Sequence, residues 1–395
     1  MNLLVLNGGS SSIKFSIFAS TVDGSEPSLL LDGELSRIST AEAALVIVQG
    51  KQAQEQRAIQ ASDTPAGMIS VVFDAIRSAD AGEIDAVGYR VVHPGAEIWD
   101  HVRITDEILK KLEAAASFAP LHDPEAVEII RETMRRMPDV PHFACFDTVF
   151  HQTMPEEGFT YAIPTMYRER GVRRYGFHGL SCESVVRQMR NLGLLPRRMV
   201  IAHLGSGCSV TAVVDGESVD TTMGLTPTGG VVMGTRPGDL DPGLLLYLLR
   251  QQEGTDGPDR LEKMLNHDAG MVALTGLPND MKAVRKAAKE GNAQATLALK
   301  VFTRGIRKTI GGFAWLMGGL DAIVFTGGIG EHDAATRVEV LSGSGVSINS
   351  SLNEAKSDGV RRVSASDSKT AVFAVPAQED LVIALHVKRM VQADA

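Results

Sequence analysis

Asn7-Gly8-Gly9-Ser10-Ser11-Ser12-Ile13-Lys14 ends the chain's first apolar run and begins its second. Leu3 to Leu6 is short, aliphatic and strand-compatible, and beyond the break Ile13, Phe15 and Ile17 alternate with Lys14 and Ser16. The alternation predicts strand, tight turn, strand. Two glycines let the backbone approach a bulky anion, serine hydroxyls and exposed amides offer donors, and Lys14 adds a point charge, which together suit phosphate. An ordinary polar hairpin loop uses the same residue types. The stretch is not a P-loop, because no Gly-Lys-Ser/Thr opens a helix at the Walker spacing.

The same plan recurs downstream. Met199 to His203 is a short apolar strand, Leu204-Gly205-Ser206-Gly207 a turn, and Ser209 to Val214 a returning strand, with Asp215-Gly216 turning into a third. Ile84-Asp85-Ala86-Val87 likewise resembles Leu320-Asp321-Ala322-Ile323. The offsets are unequal and far longer than a solenoid repeat of about 20–50 residues. They describe two copies of one βα plan, the second carrying an insertion. Two α/β halves with a phosphate-type turn in each imply an ATP clamped between lobes, with hinge closure expelling water.

Other elements follow from periodicity and capping. Helices are expected at 62–79, 106–116, from Asp123-Pro124, at 243–252, twice within 281–310 and at 380–391. Strands are expected near 28–35 and at 84–92, 142–146, 322–325 and 371–376, with 38–61 a variable polar segment. At 395 residues the chain fits about two domains. Hydrophobic residues at 44% and charged residues at 22% describe a globular protein. The net charge of −9 argues against nucleic acid or an anionic membrane as partner, so a phosphate site must be a local basic cluster. Cys145, Cys182 and Cys208 lack paired metal spacing and read as reduced thiols, and no leader-like segment precedes the first strand, which points to the cytoplasm.

Phosphoryl transfer needs cations on the phosphate oxygens, a carboxylate for Mg²⁺ and an in-line acceptor. Arg90 stands at a strand end, and Arg236 in Met233-Gly234-Thr235-Arg236-Pro237-Gly238-Asp239. A guanidinium at either place can grip phosphate or carboxylate with two hydrogen bonds, or simply bridge domains. Asp147 ends a strand and Glu379 follows Pro376, so both suit a metal, although each also suits a helix or turn terminus. His178 lies in Tyr175-Gly176-Phe177-His178-Gly179, where small neighbours let an imidazole approach a reacting phosphoryl group. Phe325-Thr326-Gly327-Gly328-Ile329-Gly330-Glu331 is a further glycine turn without Rossmann spacing. Neither zincin spacing nor a nucleophile elbow occurs.

In combination the chain resembles the acetate kinase family, within the acetate and propionate kinase group. The likeness runs from Asn7–Lys14 through Arg90-Val91-Val92-His93, Ala119-Pro120-Leu121-His122, Phe146 to Pro155, Arg174 to Gly179, His203-Leu204-Gly205 and Met233 to Arg236 to Phe325–Glu331. The resemblance implies the two-lobed α/β fold of the actin, Hsp70 and hexokinase-like (ASKHA, ribonuclease H-like) superfamily, with a duplicated βα core. It places 1–148 in lobe I with the C-terminal helix 381–395, and 149–380 in lobe II, which binds nucleotide and dimerises.

The implied reaction is reversible transfer of the ATP γ-phosphate to acetate, giving acetyl phosphate and ADP. Mg²⁺ is the implied ion, with Mn²⁺ as substitute, and the assembly a homodimer. Carried over at matching positions, Arg90, Asp147, His178 and Arg236 are catalytic, and Asn7 and Glu379 support the metal. Val92, Leu121, Phe177 and Pro227 form the acyl pocket beside Arg90. Ser12, Lys14, His203, Gly205, Ser206 and Gly207 line the phosphates, and Asp280, Met281, Lys282, Gly327, Gly328, Ile329 and Gly330 the rest of the nucleotide. The chain departs from the family pattern at Gly8, Pro94, Cys182, Ser206 (usually asparagine), Gly229, Lys282 (usually arginine) and His332. A propionate or other short-chain carboxylate kinase is the alternative in chemistry. An actin- or Hsp70-like ATP switch is the alternative outside enzymes, but it has no use for two arginines and an apolar acyl pocket.

Overall fold

The opening hairpin forms as its alternation requires. In the computed structural model, which describes residues 1–9, 12–21, 25–36, 43–50, 54–59, 64–115, 123–251, 256–356 and 359–394, strand β1 (Asn2–Gly9) pairs antiparallel with β2 (Ser12–Ala19). Asn7 lies opposite Lys14 and Gly9 opposite Ser12. Ser10 and Ser11 at the tip lie outside the described residues.

The chain divides into two units, Met1–Val149 with Gln378–Ala395, and Phe150–Ala377. The expected division at 380 shifts accordingly, and Glu379 and Asp380 group with the first unit. That unit continues with β3 (Ser28–Ser36), β4 (Ala44–Gln49), β5 (Glu55–Ala58), β6 (Ala86–Val91), β7 (Val102–Arg103) and β8 (His142–Phe146), in the order β5-β4-β3-β2-β1-β6-β8-β7. Strands β1, β6 and β8 run parallel. The segment 38–61, expected to be variable and polar, instead holds β4 and β5. Leu45 and Ile47 of β4 are buried, whereas every residue of β5 is exposed, as suits an edge strand whose charges discourage further pairing.

Strand β6 is covered on both faces, which explains its unbroken apolar run. Val87 and Tyr89 join Leu4, Leu6, Phe15, Ile17 and Phe146 in one core, sealed by helices Pro65–Ser78 and Asp123–Arg136. Gly88, on the alternate face, accepts the C-terminal helix Glu379–Asp394, since a Cβ there would lie 2.6 Å from Val387 Cγ2 and 2.7 Å from Ile383 Cγ2. The close approach fixes where that helix starts, and so where Glu379 stands.

The second unit holds β9 (Arg198–Leu204), β10 (Cys208–Val214), β11 (Glu217–Thr221), β12 (Ala322–Thr326), β13 (Arg361–Arg362) and β14 (Ala371–Ala374), in the order β11-β10-β9-β12-β14-β13. Here β9, β12 and β14 are parallel. The run β11-β10-β9-β12-β14 therefore repeats β3-β2-β1-β6-β8 in both order and direction. The duplication read from two glycine turns is a property of the fold. The unequal offsets arise between the third and fourth core strands. The first unit inserts β4, β5 and one helix there. The second inserts helices Pro242–Gln251, Gly257–His267, Gly270–Thr275, Met281–Lys289 and Ala293–Leu316. Among the described residues no helix is long and apolar enough to cross a membrane.

Candidate active site

In each unit the predicted site residues collect at the carboxyl ends of the parallel strands, where α/β sheets expose their loops. In the first unit Arg90 is near the end of β6, Asp147 just beyond β8 and Asn7 near the end of β1. Arg90 grips the Asp147 carboxylate with Nη2 at 2.5 Å from Oδ2 and Nε at 3.1 Å from the same oxygen and 3.2 Å from Oδ1. Its Nη1 donates to Asn7 Oδ1 at 3.2 Å, and Glu379 Oε2 stands 3.8 Å from Nε. Asp147 is 1% exposed and Arg90 keeps 20% of its side chain accessible, so the guanidinium is the open end of the pair. Burial works against the charge on Arg90, but Asp147, Glu379 and Asp380 more than offset it and hold its pKa above the ordinary arginine value.

Asp380, one residue beyond Glu379, was not singled out in the sequence. Its carboxylate and that of Asp32 both accept the Ser16 hydroxyl, at 3.0 and 2.9 Å. Burial, partly countered by Ser16, pushes its pKa up to about 6, with Glu379 and Asp32 adding to the rise. Lys14 acts in the opposite direction on the same carboxyl.

In the second unit His178 begins helix Gly179–Asn191 from a left-handed backbone conformation, φ 58° and ψ 28°. Such a geometry in a non-glycine residue costs on the order of 1–3 kcal/mol and persists where the surroundings hold it. The holding groups are visible. His178 Nδ1 is 3.0 Å from Ser209 Oγ on β10, and its ring stacks on His203 with centroids 4.1 Å apart. His203 Nδ1 is in turn 2.8 Å from Ser181 Oγ. The turn between β9 and β10 is closed by Gly205 N donating to Gly207 O at 3.0 Å. A Cβ at Gly207 would sit 2.8 Å from Arg236 Nη2 and 3.3 Å from His178 Nε2. Arg236 and His178 therefore flank one point on the turn, and only glycine leaves that point open. Arg236 is steered there by its other terminal nitrogen, which donates to Pro227 O at 2.6 Å.

A small solvent-open cleft adjoins this turn. It is lined by Gly205, Gly234, Asn279, Asp280, Met281 and Ile329 among others. Asp280 caps helix Met281–Lys289, its carboxylate accepting from Lys282 N at 2.9 Å, while Lys282 itself is exposed. Gly327 to Gly330 begin helix Gly327–His332 directly after β12, and a Cβ at Gly328 would meet nothing within 4 Å. The carbonyls of Gly330 and Glu331 accept from Arg337 Nη1 at 2.7 and 3.0 Å. Arg337 is 1% exposed and is anchored on the other side by Asn353. Burial, with help from nearby Arg361, lowers its pKa to about 10. Arg337 fastens the glycine turn to the body of the unit. Neither it nor Ser209 and Asn279 carried a motif that would have marked them in the sequence.

Of the residues expected to receive the acyl group, Val92 is buried in the first unit, and Phe177 and Pro227 are buried in the second. Leu121 lies outside the described residues, as does the rest of 119–122.

Residues 2–385 match the model of the acetokinase family. The acetate kinase of Geobacillus kaustophilus is 40% identical over 399 residues, covering 98% of each chain. That of Halothermothrix orenii is 38% identical over 406 residues and the full length of both. Among solved structures, Porphyromonas gingivalis acetate kinase superposes with a TM-score of 0.84 at 32% identity over 99% of each chain. A propionate kinase from Francisella tularensis superposes with a TM-score of 0.88 at 33% identity over 98% of this chain and 99% of its own.

Proposed function

The chain belongs to the acetokinase family, a family of phosphotransferases, and on that premise we propose that it moves the γ-phosphoryl group of ATP onto acetate, forming acetyl phosphate and ADP. The observation that carries the reading is the convergence of Arg236 Nη2 and His178 Nε2 beside the bare backbone of Gly207. Acetate is already ionised at neutral pH, so the reaction needs no strong general base. Its barrier lies in bringing two anions together. An acetate oxygen attacks the γ-phosphorus in line, the bond from that phosphorus to the β,γ-bridging oxygen breaks, and ADP departs.

Arg236 neutralises the transferring phosphoryl. Arg90, presented by Asp147, holds the acetate carboxylate. In the tautomer protonated at Nε2, His178 Nδ1 accepts from the Ser209 hydroxyl and Nε2–H can donate to an equatorial phosphoryl oxygen. His203, Gly205, Ser206 and Gly207, with Ser12 and Lys14 from the first hairpin, carry the phosphates. Asp280, Met281, Lys282 and the turn Gly327 to Gly330 carry the nucleoside. Val92, Leu121, Phe177 and Pro227 receive the methyl group.

The oxygen donors beside Arg90 fit Mg²⁺, a hard ion that takes one or two carboxylates and leaves the remaining positions to phosphate and water. Arg90 engages both Asp147 oxygens, so Asn7 Oδ1 and the Glu379 carboxylate are the groups that would hold the ion. When bound, Mg²⁺, or Mn²⁺ on the same oxygens, offsets charge on the polyphosphate.

The working form is a cytoplasmic homodimer joined through the second unit. Helix Pro242–Gln251, sequence PGLLLYLLRQ, has no buried residue, and Leu246 and Tyr247 are 54% and 58% exposed. A helix that apolar needs a cover, and a second copy brings the same face to it.

Trapping with hydroxylamine tests the activity across acetate, propionate and butyrate, with ATP and GTP as donors. Acetyl hydroxamate should form with ATP and acetate. One methylene is worth only about 1–3 kcal/mol of discrimination, so propionate should react more slowly without being excluded. A tenfold preference for butyrate would refute the small pocket, and slow ATP hydrolysis without hydroxamate would favour a nucleotide switch.

A further inference from the structure

Ser206 and Asn279 meet beside the cleft that Gly205, Asn279 and Asp280 line. Asn279 Nδ2 donates to Ser206 Oγ at 2.8 Å, joining the phosphate turn between β9 and β10 to the loop that precedes helix Met281–Lys289. Two further contacts fix the pair. Ser206 O accepts from Gly234 N at 3.0 Å, and the Asn279 amide packs directly over Gly234. Gly234 is itself held by Val272 N, which donates to its carbonyl at 3.0 Å. Both Ser206 and Asn279 are exposed, so their hydrogen bond adds little to stability. A serine hydroxyl has one proton to give. With Asn279 supplying the donor to its oxygen, that proton is left for another acceptor.

We propose that Asn279 is a positioning residue for nucleotide, which by donating to Ser206 Oγ turns the Ser206 hydroxyl into a donor toward the polyphosphate of ATP or ADP. The inference rests on the nucleotide-binding reading of this cleft. Hydrogen bonds in series polarise one another, so the two residues should act as a unit.

Calorimetric titration with ADP, in the absence of acetate, tests this on the full chain. Asn279→Ala and Ser206→Ala should each weaken ADP about tenfold, the loss expected for one hydrogen bond to a charged oxygen. The double variant should be no worse than either single. Asn279→Asp, which keeps the size but draws the serine proton back onto itself, should be weaker still. KM for ATP should rise in step while KM for acetate and the thermal midpoint stay unchanged. Wild-type ADP affinity in Asn279→Ala, or additive losses in the double variant, would overturn the proposal while leaving the kinase reading intact. A wild-type protein that binds no ADP would overturn both.

Discussion

Arg90 and Arg236, both proposed to act in phosphoryl transfer, have unlike surroundings, and the difference is measurable. Arg236 is held by a backbone carbonyl, that of Pro227, and replacing it by alanine removes the charge proposed to meet phosphate. Arg90 is locked to a carboxylate that is 1% exposed, so Arg90→Ala leaves Asp147 buried without its partner. Turnover in the hydroxamate assay should fall by about 10³ in both variants, the scale of a lost transition-state arginine. Urea unfolding should separate them. Arg236→Ala should unfold at the wild-type midpoint, and Arg90→Ala should lose about 3 kcal/mol, the penalty of an orphaned buried charge. Adding Asp147→Ala to Arg90→Ala should restore part of that stability and none of the turnover. Near-wild-type turnover in either single variant would remove that arginine from the mechanism.

At the level of elements, helix Pro242–Gln251 is a surface helix in composition terms gone wrong, since Leu244, Leu246 and Tyr247 face outward at 39%, 54% and 58% exposure. If the proposed dimer forms through this face, Leu246→Asp with Tyr247→Asp should convert it to monomer by light scattering while circular dichroism stays unchanged, because no packed side chain of the unit is lost. A dimer that survives both charges would move the interface elsewhere. Elements of this sort were readable from the residues, as were both hairpins, because alternation and turn chemistry are local signals. Strand β4 was not. Its run Ala44-Leu45-Val46-Ile47-Val48 lies inside a polar stretch, and it is stabilised by pairing with β3 and β5 and by burial of Leu45 and Ile47 in the core. The site divides in the same way. Arg90, Asp147, His178 and Arg236 stand in recognisable motifs, whereas Arg337, Asn279 and Asp380 acquire their roles from contacts with residues distant in the chain, such as Asn353, Ser206 and Ser16.

For the molecule as a whole, acid brings opposing contributions to stability: Asp380, with its raised pKa, favours the fold as pH falls, whereas His93 and His101 oppose it. His93 is fully buried just beyond β6, and burial lowers its pKa to about 3. Burial, together with repulsion from His386 and Arg389, lowers that of His101 to about 2. In the unfolded chain each imidazole takes up its proton near pH 6.5. Between that value and the folded pKa the unfolded state binds more protons, so stability is complete above about pH 6.5 and declines as pH falls. Each histidine adds about 1.4 kcal/mol of loss per pH unit through this window. His93→Gln cannot take up a proton, so its urea midpoint plotted against pH should fall less steeply than that of the wild type between pH 6 and 4. The His93 side chain also accepts the Gly95 amide through Nδ1 at 2.9 Å, a bond that the glutamine oxygen can replace, which keeps the comparison one of charge rather than packing. Parallel curves for the two proteins would mean that His93 is protonated in the fold, and that another group sets the acid limit.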